Sequence, residues 1–238
     1  MQMGCRNHEN LLRGSEIFFI RVLEKEWPVF EYLKAQKESP LPCVLSREEV
    51  QRIFNHVKTF HHYVFLNTVY TCGLRLNEAL NLRVSDIDGR RMMIHIHRGK
   101  GAKDRYVPLP LETYRLLQKY WPTHGNPVLI FPALKENPSL SRTPMSVNAV
   151  QGAFRNAKNK ARVAKRNVTI HTLRHSYATH LLEEGVNIHV IQRYLGHARI
   201  ETTMLYLHLT SKGQKNAYQI INQTMKGFDH GRHSRYLS

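Results

Sequence analysis

Arginine, lysine, histidine and tyrosine recur in four short segments of the chain. Arg75 and Glu78 lie in TCGLRLNE, Lys100 in GKGAKDR, His171 and Arg174 in HTLRHSYATH, and His197 in LGH, with Tyr206 nine positions later. Metal-free attack on a phosphodiester needs a nucleophile, cations for the non-bridging oxygens, and a proton donor for the leaving oxygen. Arginine binds two phosphate oxygens at once and keeps its charge. Tyrosine, with a pKa near ~10, needs a base and nearby positive charge to become a nucleophile.

The order and spacing of these segments resemble the tyrosine recombinase, or phage integrase, family. That family has an arginine in a GLR-x-x-E turn, a lysine in a β-hairpin, an H-x-x-R motif, and LGH with a tyrosine nine residues on. GLR or LGH alone is common, whereas the ordered set is specific, and it covers roughly residues 42–210. The resemblance implies a site-specific recombinase that cleaves and rejoins double-stranded DNA through a 3′-phosphotyrosine intermediate, without a metal, another cofactor or ATP.

The resemblance also implies a role for each matching residue. Tyr206 would attack phosphorus and free a 5′ hydroxyl. Arg75 and Arg174 would hold the phosphate oxygens, and Lys100 would protonate the leaving oxygen.

The remaining residues of the motifs would assist. His171 would help take the tyrosine proton or stabilise the phosphorane-like state, and His197 would donate a hydrogen bond to a phosphate oxygen. Glu78 would steady the site without touching phosphate.

Further basic residues are expected to contact the DNA backbone. Lys103 competes with Lys100 for the hairpin role, and the GKG turn favours Lys100. Lys103 and Arg105 would then contact phosphates or lie in a solvated turn. The basic stretch 155–166 would add contacts from Lys158, Lys160 and Arg162, which position the protein without reading sequence.

The 15 histidines also raise the question of a metal site. His171 and His175 have the spacing of helical zinc ligands, but Thr172 stands where an HExxH motif has its glutamate. His95 and His97 share one strand face, and alternating histidines on an exposed strand are more often solvated. We expect no metal and no other cofactor.

The composition is that of a basic globular protein. The net charge is +17 and the pI about 10.0, which favours a nucleic-acid partner over a membrane surface, because the charge is spread out rather than concentrated in one amphipathic run. Three separated cysteines without a CxxC pair argue against a disulfide framework. Without a signal peptide or an apolar run near ~20 residues, the expected location is cytoplasmic and, for a DNA enzyme, nucleoid-associated.

The hydrophobic pattern predicts a mainly α protein with a small antiparallel β-sheet (α+β), as in the integrase catalytic-domain fold. Ser46 and Glu49 form a capping box before a first helix, and residues 121–144, with five of the ten prolines, are predicted as a loop. Strands are predicted at 84–88, 92–97 and 104–109. Helices are predicted at 61–72, 76–82, 111–120, 146–162, 172–184, 188–195, 201–208 and 212–225.

The predicted domain organisation has four parts. Residues 1–15 are polar and unassigned, residues 16–43 resemble the last helix of a core-binding domain with its linker, residues 44–226 form the catalytic domain, and residues 227–238 form a flexible tail. Compared with the family, the chain looks N-terminally truncated, which predicts weaker DNA binding. By the same resemblance, helix 212–225 would dock into a neighbouring protomer of a homo-tetramer on DNA.

Two alternatives to a recombinase stay open. A truncated remnant would occupy DNA without turning over, whereas a type IB topoisomerase would use the same chemistry to relax supercoils as a monomer. The complete set of six motif residues favours an enzyme, and the short N-terminal region favours the remnant.

Overall fold

The computed structural model describes residues 42–97, 104–134, 137–207, 210, 221 and 223–224, all within the compact unit Pro42–Ser238. Its helices are α1 (Arg47–Asn55), α2 (Phe60–Thr71), α3 (Leu76–Leu80), α4 (Leu111–Tyr120), α5 (Val147–Lys160), α6 (Ile170–Glu183), α7 (Ile188–Leu195) and α8 (Glu201–Met204). Its strands are β1 (Ile87–Asp88), β2 (Met93–Ile96) and β3 (Arg105–Pro108). The predicted α+β class with a small antiparallel sheet is confirmed.

Helix α2 is the central element of the main hydrophobic core. Val64, Phe65, Leu66 and Val69 are all fully buried, because α2 packs against α1, α3, α4, α5 and α6. A helix surrounded in this way is apolar on more than one face, unlike an amphipathic surface helix. Helix α6, which carries the HTLRHSYATH segment, is therefore supported by α2.

A second, smaller hydrophobic cluster joins α6, α7 and the residues that follow α8. Its buried members are Ala178, Ile191, Leu195 and Tyr206, with Tyr177 and three aliphatic side chains packed around them. Tyr206 follows α8 and is only 2% exposed. Packing against α7 thus fixes the position of this tyrosine relative to α6.

The three strands form an antiparallel sheet in the order β1-β2-β3. Ile94 pairs with Val107, and Ile96 pairs with Arg105. Burial alternates along β3, with Arg105 and Val107 buried and Tyr106 exposed. Since side chains alternate between the two faces of a strand, Arg105 lies on the same face as the buried Val107 and points inward, next to α7.

Local signals account for most element boundaries. Ser46 and Glu49 form the expected capping box, and the bounds of α4 and α7 agree with the sequence prediction. Helix α6 begins two residues earlier than predicted, because Thr169 forms a capping box with Thr172. The strand predicted at 84–88 is instead a 3-10 turn, Val84–Asp86, followed by two strand residues.

Other boundaries were also predicted wrongly. The helix predicted at 76–82 ends at Leu80, and the one predicted at 201–208 is a single turn that ends at Met204. The loop 121–144 contributes core residues, since Ile130 and Phe131 are buried.

Several predictions lie outside the described residues. They are the helix and linker at 16–41, the hairpin lysines Lys100 and Lys103, and most of the helix at 212–225. Within the described part of the chain, no helix combines the length and apolar character needed to cross a membrane.

Candidate active site

Glu78 is the centre of a network of three arginines. Its carboxylate accepts two hydrogen bonds from Arg105, at 2.9 and 2.7 Å. It also accepts one from the Arg75 guanidinium at 2.7 Å and lies 3.9 Å from a nitrogen of Arg174. Burial alone would raise the pKa of Glu78, but the hydrogen bonds and charge of Arg105, followed by those of Arg75, lower it to about 2. The carboxylate is therefore ionised at neutral pH and offsets part of the clustered positive charge.

Backbone carbonyl groups complete the orientation of the arginines. Arg174 donates to the carbonyls of Gly73 and Leu195, and Arg105 donates from Nε to the carbonyl of Tyr194 at 2.8 Å. Arg75 donates to the carbonyl of Gly196 at 3.2 Å. Burial, followed by the charge of Arg75, lowers the pKa of Arg174 to about 9, so its guanidinium is still charged at neutral pH.

Two glycines allow the close approach of these segments. Gly73 and Gly196 both have positive φ, 61° and 63°, which L residues with a side chain rarely adopt. A Cβ on Gly73 would lie 2.4 Å from the Tyr177 ring, and one on Gly196 would lie 2.9 Å from Cδ of Arg105. A side chain at either position would strain the backbone and require the Tyr177 ring or the Arg105 side chain to shift.

The phenol of Tyr206 contacts a histidine of α6. Its hydroxyl lies 2.9 Å from Nδ1 of His175, one helical turn after His171, and the two histidine rings are 4.5 Å apart. Burial raises the pKa of Tyr206, and the charges of Arg174 and Arg75 oppose that increase. Burial and then the charges of His171 and Arg174 lower the pKa of His175 to about 4. At neutral pH His175 is therefore a neutral imidazole, and in the tautomer with its proton on Nε2 its Nδ1 accepts a hydrogen bond from the phenol.

The ring of His197 also lies near the tyrosine ring. The two ring centroids are 6.3 Å apart and nearly parallel, and Nδ1 of His197 lies 2.9 Å from the hydroxyl of the buried Thr203. Burial, followed by the charges of Arg174 and Arg75, lowers the pKa of His197 to about 3. A neutral ring that accepts from Thr203 at Nδ1 carries its proton on Nε2, which can then donate a hydrogen bond.

The structure brings together five of the six residues named for catalysis. Arg75 and Arg174 are close enough to Tyr206 for their charges to oppose the increase that burial causes in its pKa, and the His197 ring stacks near the tyrosine ring. His171 lies near the start of α6, where desolvation of its ring and then the charges of Arg174 and Arg75 lower its pKa. The sixth, Lys100, lies outside the described residues. Glu78 was predicted to stabilise the site without touching phosphate, and its contacts with Arg75, Arg105 and Arg174 are of the kind that would position those side chains.

Arg105 differs from its predicted position. It was expected in a solvated turn or against DNA phosphates, yet its side chain is 6% exposed and paired with Glu78. The alternation of side chains along β3 directs Arg105 inward, where its guanidinium donates hydrogen bonds to the Glu78 carboxylate and the Tyr194 carbonyl. The alternation Arg105, Tyr106, Val107 was the sequence signal for this placement.

His175 also lies in the candidate site, although it was not predicted there from the sequence. Its spacing of four from His171 was considered only as a zinc-ligand pattern. The same spacing places both rings on one face of α6, beside Tyr206.

A basic cleft adjoins this site. Its volume is about 620 Å³, and its lining includes Arg155, Lys158, Thr169 and His171. Two further predicted DNA contacts, Lys160 at the end of α5 and Arg162 after it, are exposed. Arg155 and Lys158 of α5 thus border the same cleft as His171, whereas Lys160 lines a separate cleft.

Comparison with solved structures identifies the fold as that of tyrosine recombinase catalytic domains. The crystal structure of the XerA recombinase has a TM-score of 0.64 and 27% identity, over 87% of this chain and 73% of that chain. The catalytic domain of bacteriophage HP1 integrase, at 21% identity and a TM-score of 0.55, shares the fold over 77% of this chain and 97% of that domain.

Sequence comparison assigns the family. The model of the phage integrase family matches residues 43–212, and the chain belongs to that family. It is 37% identical over 195 residues to the Sinorhizobium fredii protein named as integrase/recombinase y4qK, and 34% identical over 209 residues to a tyrosine recombinase of Thermosipho africanus. The matches cover 82% and 84% of this chain and 61% and 70% of those proteins. The chain therefore spans less than two thirds of the first of these relatives.

Proposed function

We propose that this chain is a site-specific recombinase that cleaves and rejoins double-stranded DNA through a covalent bond between Tyr206 and a 3′ phosphate. The observation that carries the proposal is the 2.9 Å contact between the Tyr206 hydroxyl and Nδ1 of His175, beside the cationic cluster of Arg75 and Arg174. A phenol becomes a nucleophile only with a base and positive charge nearby, and this arrangement supplies both.

In the proposed step, the Tyr206 oxygen forms a bond to phosphorus and the bond from phosphorus to the 5′ oxygen breaks. The phenol proton passes to His175, with His171 as the neighbouring acceptor, and Lys100 donates a proton to the 5′ oxygen. Rejoining is the reverse reaction. Because one phosphoester replaces another, the step needs no ATP.

The arginines would stabilise the negative charge that builds on the non-bridging oxygens. Arg75, with a side chain 23% exposed, is the more accessible cation, whereas Arg174 is 1% exposed. Contact between Arg174 and phosphate therefore requires α7 or α8 to move on DNA binding. Glu78 and Arg105 act as positioning residues, and His197 donates from Nε2 to a phosphate oxygen.

DNA would lie across the basic cleft beside His171. Lys158, in the lining of that cleft, would contact a phosphate there. Lys160 and Arg162, which are exposed outside that lining, would contact further phosphates, and such contacts add affinity without reading sequence. We further propose a homo-tetramer on two duplexes in the nucleoid, assembled through residues 212–225.

A covalent-trapping experiment tests the proposal. The protein is incubated with a pool of nicked duplexes of randomised sequence, and adducts are separated on a denaturing gel. We expect an adduct with the wild type and with Tyr194→Phe, which removes the hydroxyl of a tyrosine in α7, and none with Tyr206→Phe.

The alternatives give different results. Binding of the pool without any adduct favours a DNA-binding remnant. An adduct together with relaxation of supercoiled plasmid at many sites favours a type IB topoisomerase, whereas strand exchange between two selected sites supports the recombinase.

A further inference from the structure

We propose that His95, His97 and Asp104 form a binding site for one divalent transition-metal ion, with Zn²⁺ the best match, at the end of the β2–β3 hairpin. The sequence pattern alone favours solvated histidines here, because it shows only the alternation of His95 and His97. The structure adds a carboxylate from the opposite strand.

The antiparallel register explains why the three side chains meet. Ile96 pairs with Arg105, so His97 and Asp104 are the next residues beyond the last pair of the ladder. His95 and His97 lie on one face because side chains alternate along a strand. That face is opposite to the one on which Ile96 and Arg105 are buried, and it is open to solvent.

The donor atoms have the separations that a metal ion requires. Oδ2 of Asp104 lies 3.2 Å from Nε2 of His95 and 3.5 Å from Nδ1 of His97, and ligand atoms of all three residues lie within 4.8 Å of one another. Tetrahedral zinc, with bonds of about 2.0–2.1 Å, places neighbouring donors about 3.3–3.4 Å apart. The two distances from Oδ2 of Asp104 agree with this geometry.

A further carboxylate orients one of the rings. Nε2 of His97 lies 3.0 Å from Oδ1 of Asp86, whose side chain is 6% exposed and whose other oxygen accepts from the backbone N–H of Arg83. When Nε2 donates to Asp86, the lone pair of His97 is on Nδ1, toward Asp104. Metal-ligating histidines commonly donate their second N–H to a carboxylate in this way.

The ring of His95 is held separately. It stacks on Tyr106 with ring centroids 4.6 Å apart and an interplanar angle of 11°. Because both histidine rings are already held in place, metal binding would cost little of their side-chain conformational entropy. The two histidine nitrogens and one carboxylate oxygen match the preference of Zn²⁺, and water would fill the fourth position.

The site has a consequence that rests on the proposed function. Residues 98–103, including Lys100, connect His97 to Asp104 in the sequence. A metal held by both of these residues would restrain the two ends of the segment that carries the proposed proton donor. Metal binding itself can be measured without DNA, so it fails or succeeds independently of Tyr206.

Zinc titration of the full chain tests the proposal. Chelator-treated protein is titrated with ZnCl₂ by calorimetry, and thermal unfolding is followed with and without Zn²⁺. We expect one zinc per chain, with Tm raised by roughly 5–10 °C at a 100-fold excess over Kd. Co²⁺ in place of Zn²⁺ should give the visible absorption of a four-coordinate ion.

Matched variants assign the ligands. His95→Gln and Asp104→Asn should abolish the stoichiometric binding, and Asp86→Asn should weaken it by roughly 10- to 100-fold. His189→Gln, at an exposed histidine of α7, should bind as the wild type does. The proposal is overturned if His95→Gln and Asp104→Asn retain wild-type affinity, if the wild type binds no zinc, or if His175→Gln alone removes the binding.

Discussion

Removal of the Glu78 charge should destabilise the fold, because three arginines converge on this one carboxylate. In Glu78→Gln the side-chain volume is kept and only the charge and one acceptor oxygen change. A pKa lowered from 4.5 to about 2 corresponds to about 3 kcal/mol of stability at neutral pH, since one pKa unit is about 1.4 kcal/mol. The loss of one partner of a buried ion pair costs about 3–5 kcal/mol in other proteins, which agrees with this value.

Thermal and urea unfolding would measure the effect. For a unit of this size, about 3 kcal/mol corresponds to a Tm lower by roughly 6–12 °C. The control is Glu184→Gln, which breaks the ion pair with Arg47, where both side chains are more than half exposed. Such a pair contributes about 1 kcal/mol or less.

The pH dependence gives an independent check. The pKa of Glu78 is lower in the folded state, so its contribution is fully present above about pH 4.5 and is lost as the pH falls toward about 2. The stability difference between the wild type and Glu78→Gln should therefore shrink below about pH 4.5. A difference that stays constant down to pH 3, or one no larger than that of Glu184→Gln, would refute the reasoning.

Three further predictions concern the base, the arginine network and the DNA contacts. His175→Gln should slow formation of the DNA adduct by about 100-fold or more without weakening DNA binding. The wild-type rate should fall only as the pH approaches about 4, where His175 becomes protonated. Equal loss of binding and rate would contradict this role. Arg105→Gln should cost about 3 kcal/mol in urea unfolding, well above the cost of Arg115→Gln, which breaks an exposed ion pair; equal costs would exclude a buried network. Replacing Lys158 and Lys160 together by alanine should reduce the slope of log K against log salt by about 1.8, and an unchanged slope would show that neither contacts phosphate.

The sequence predicted the helical part of the fold well because its signals are local. The capping box at Ser46 and the spacing of apolar residues in α4 and α7 each lie within one or two turns. The segment near Val84 was less predictable, because the β-branched residues Val84 and Ile87 favour a strand, whereas the Asp86 side chain accepts from the backbone N–H of Arg83 and closes a 3-10 turn.

The candidate site was predictable only in part. Spacing within one helix brought His171 and Arg174 together, and the family motif added Tyr206. The pairing of Arg105 with Glu78 depends on the register of β2 and β3, which is a long-range property of the sheet. Asp104 was missed for the same reason, because its neighbours across the hairpin are in a different strand.

Mass spectrometry of the trapped adduct tests the central claim most directly. After the covalent complex is digested with nuclease and protease, each tyrosine peptide is examined for a linked nucleotide 3′ phosphate. We predict that the modification lies on Tyr206 alone. A nucleotide on another tyrosine, such as Tyr194 or Tyr177, or an adduct that persists in Tyr206→Phe, would contradict the account.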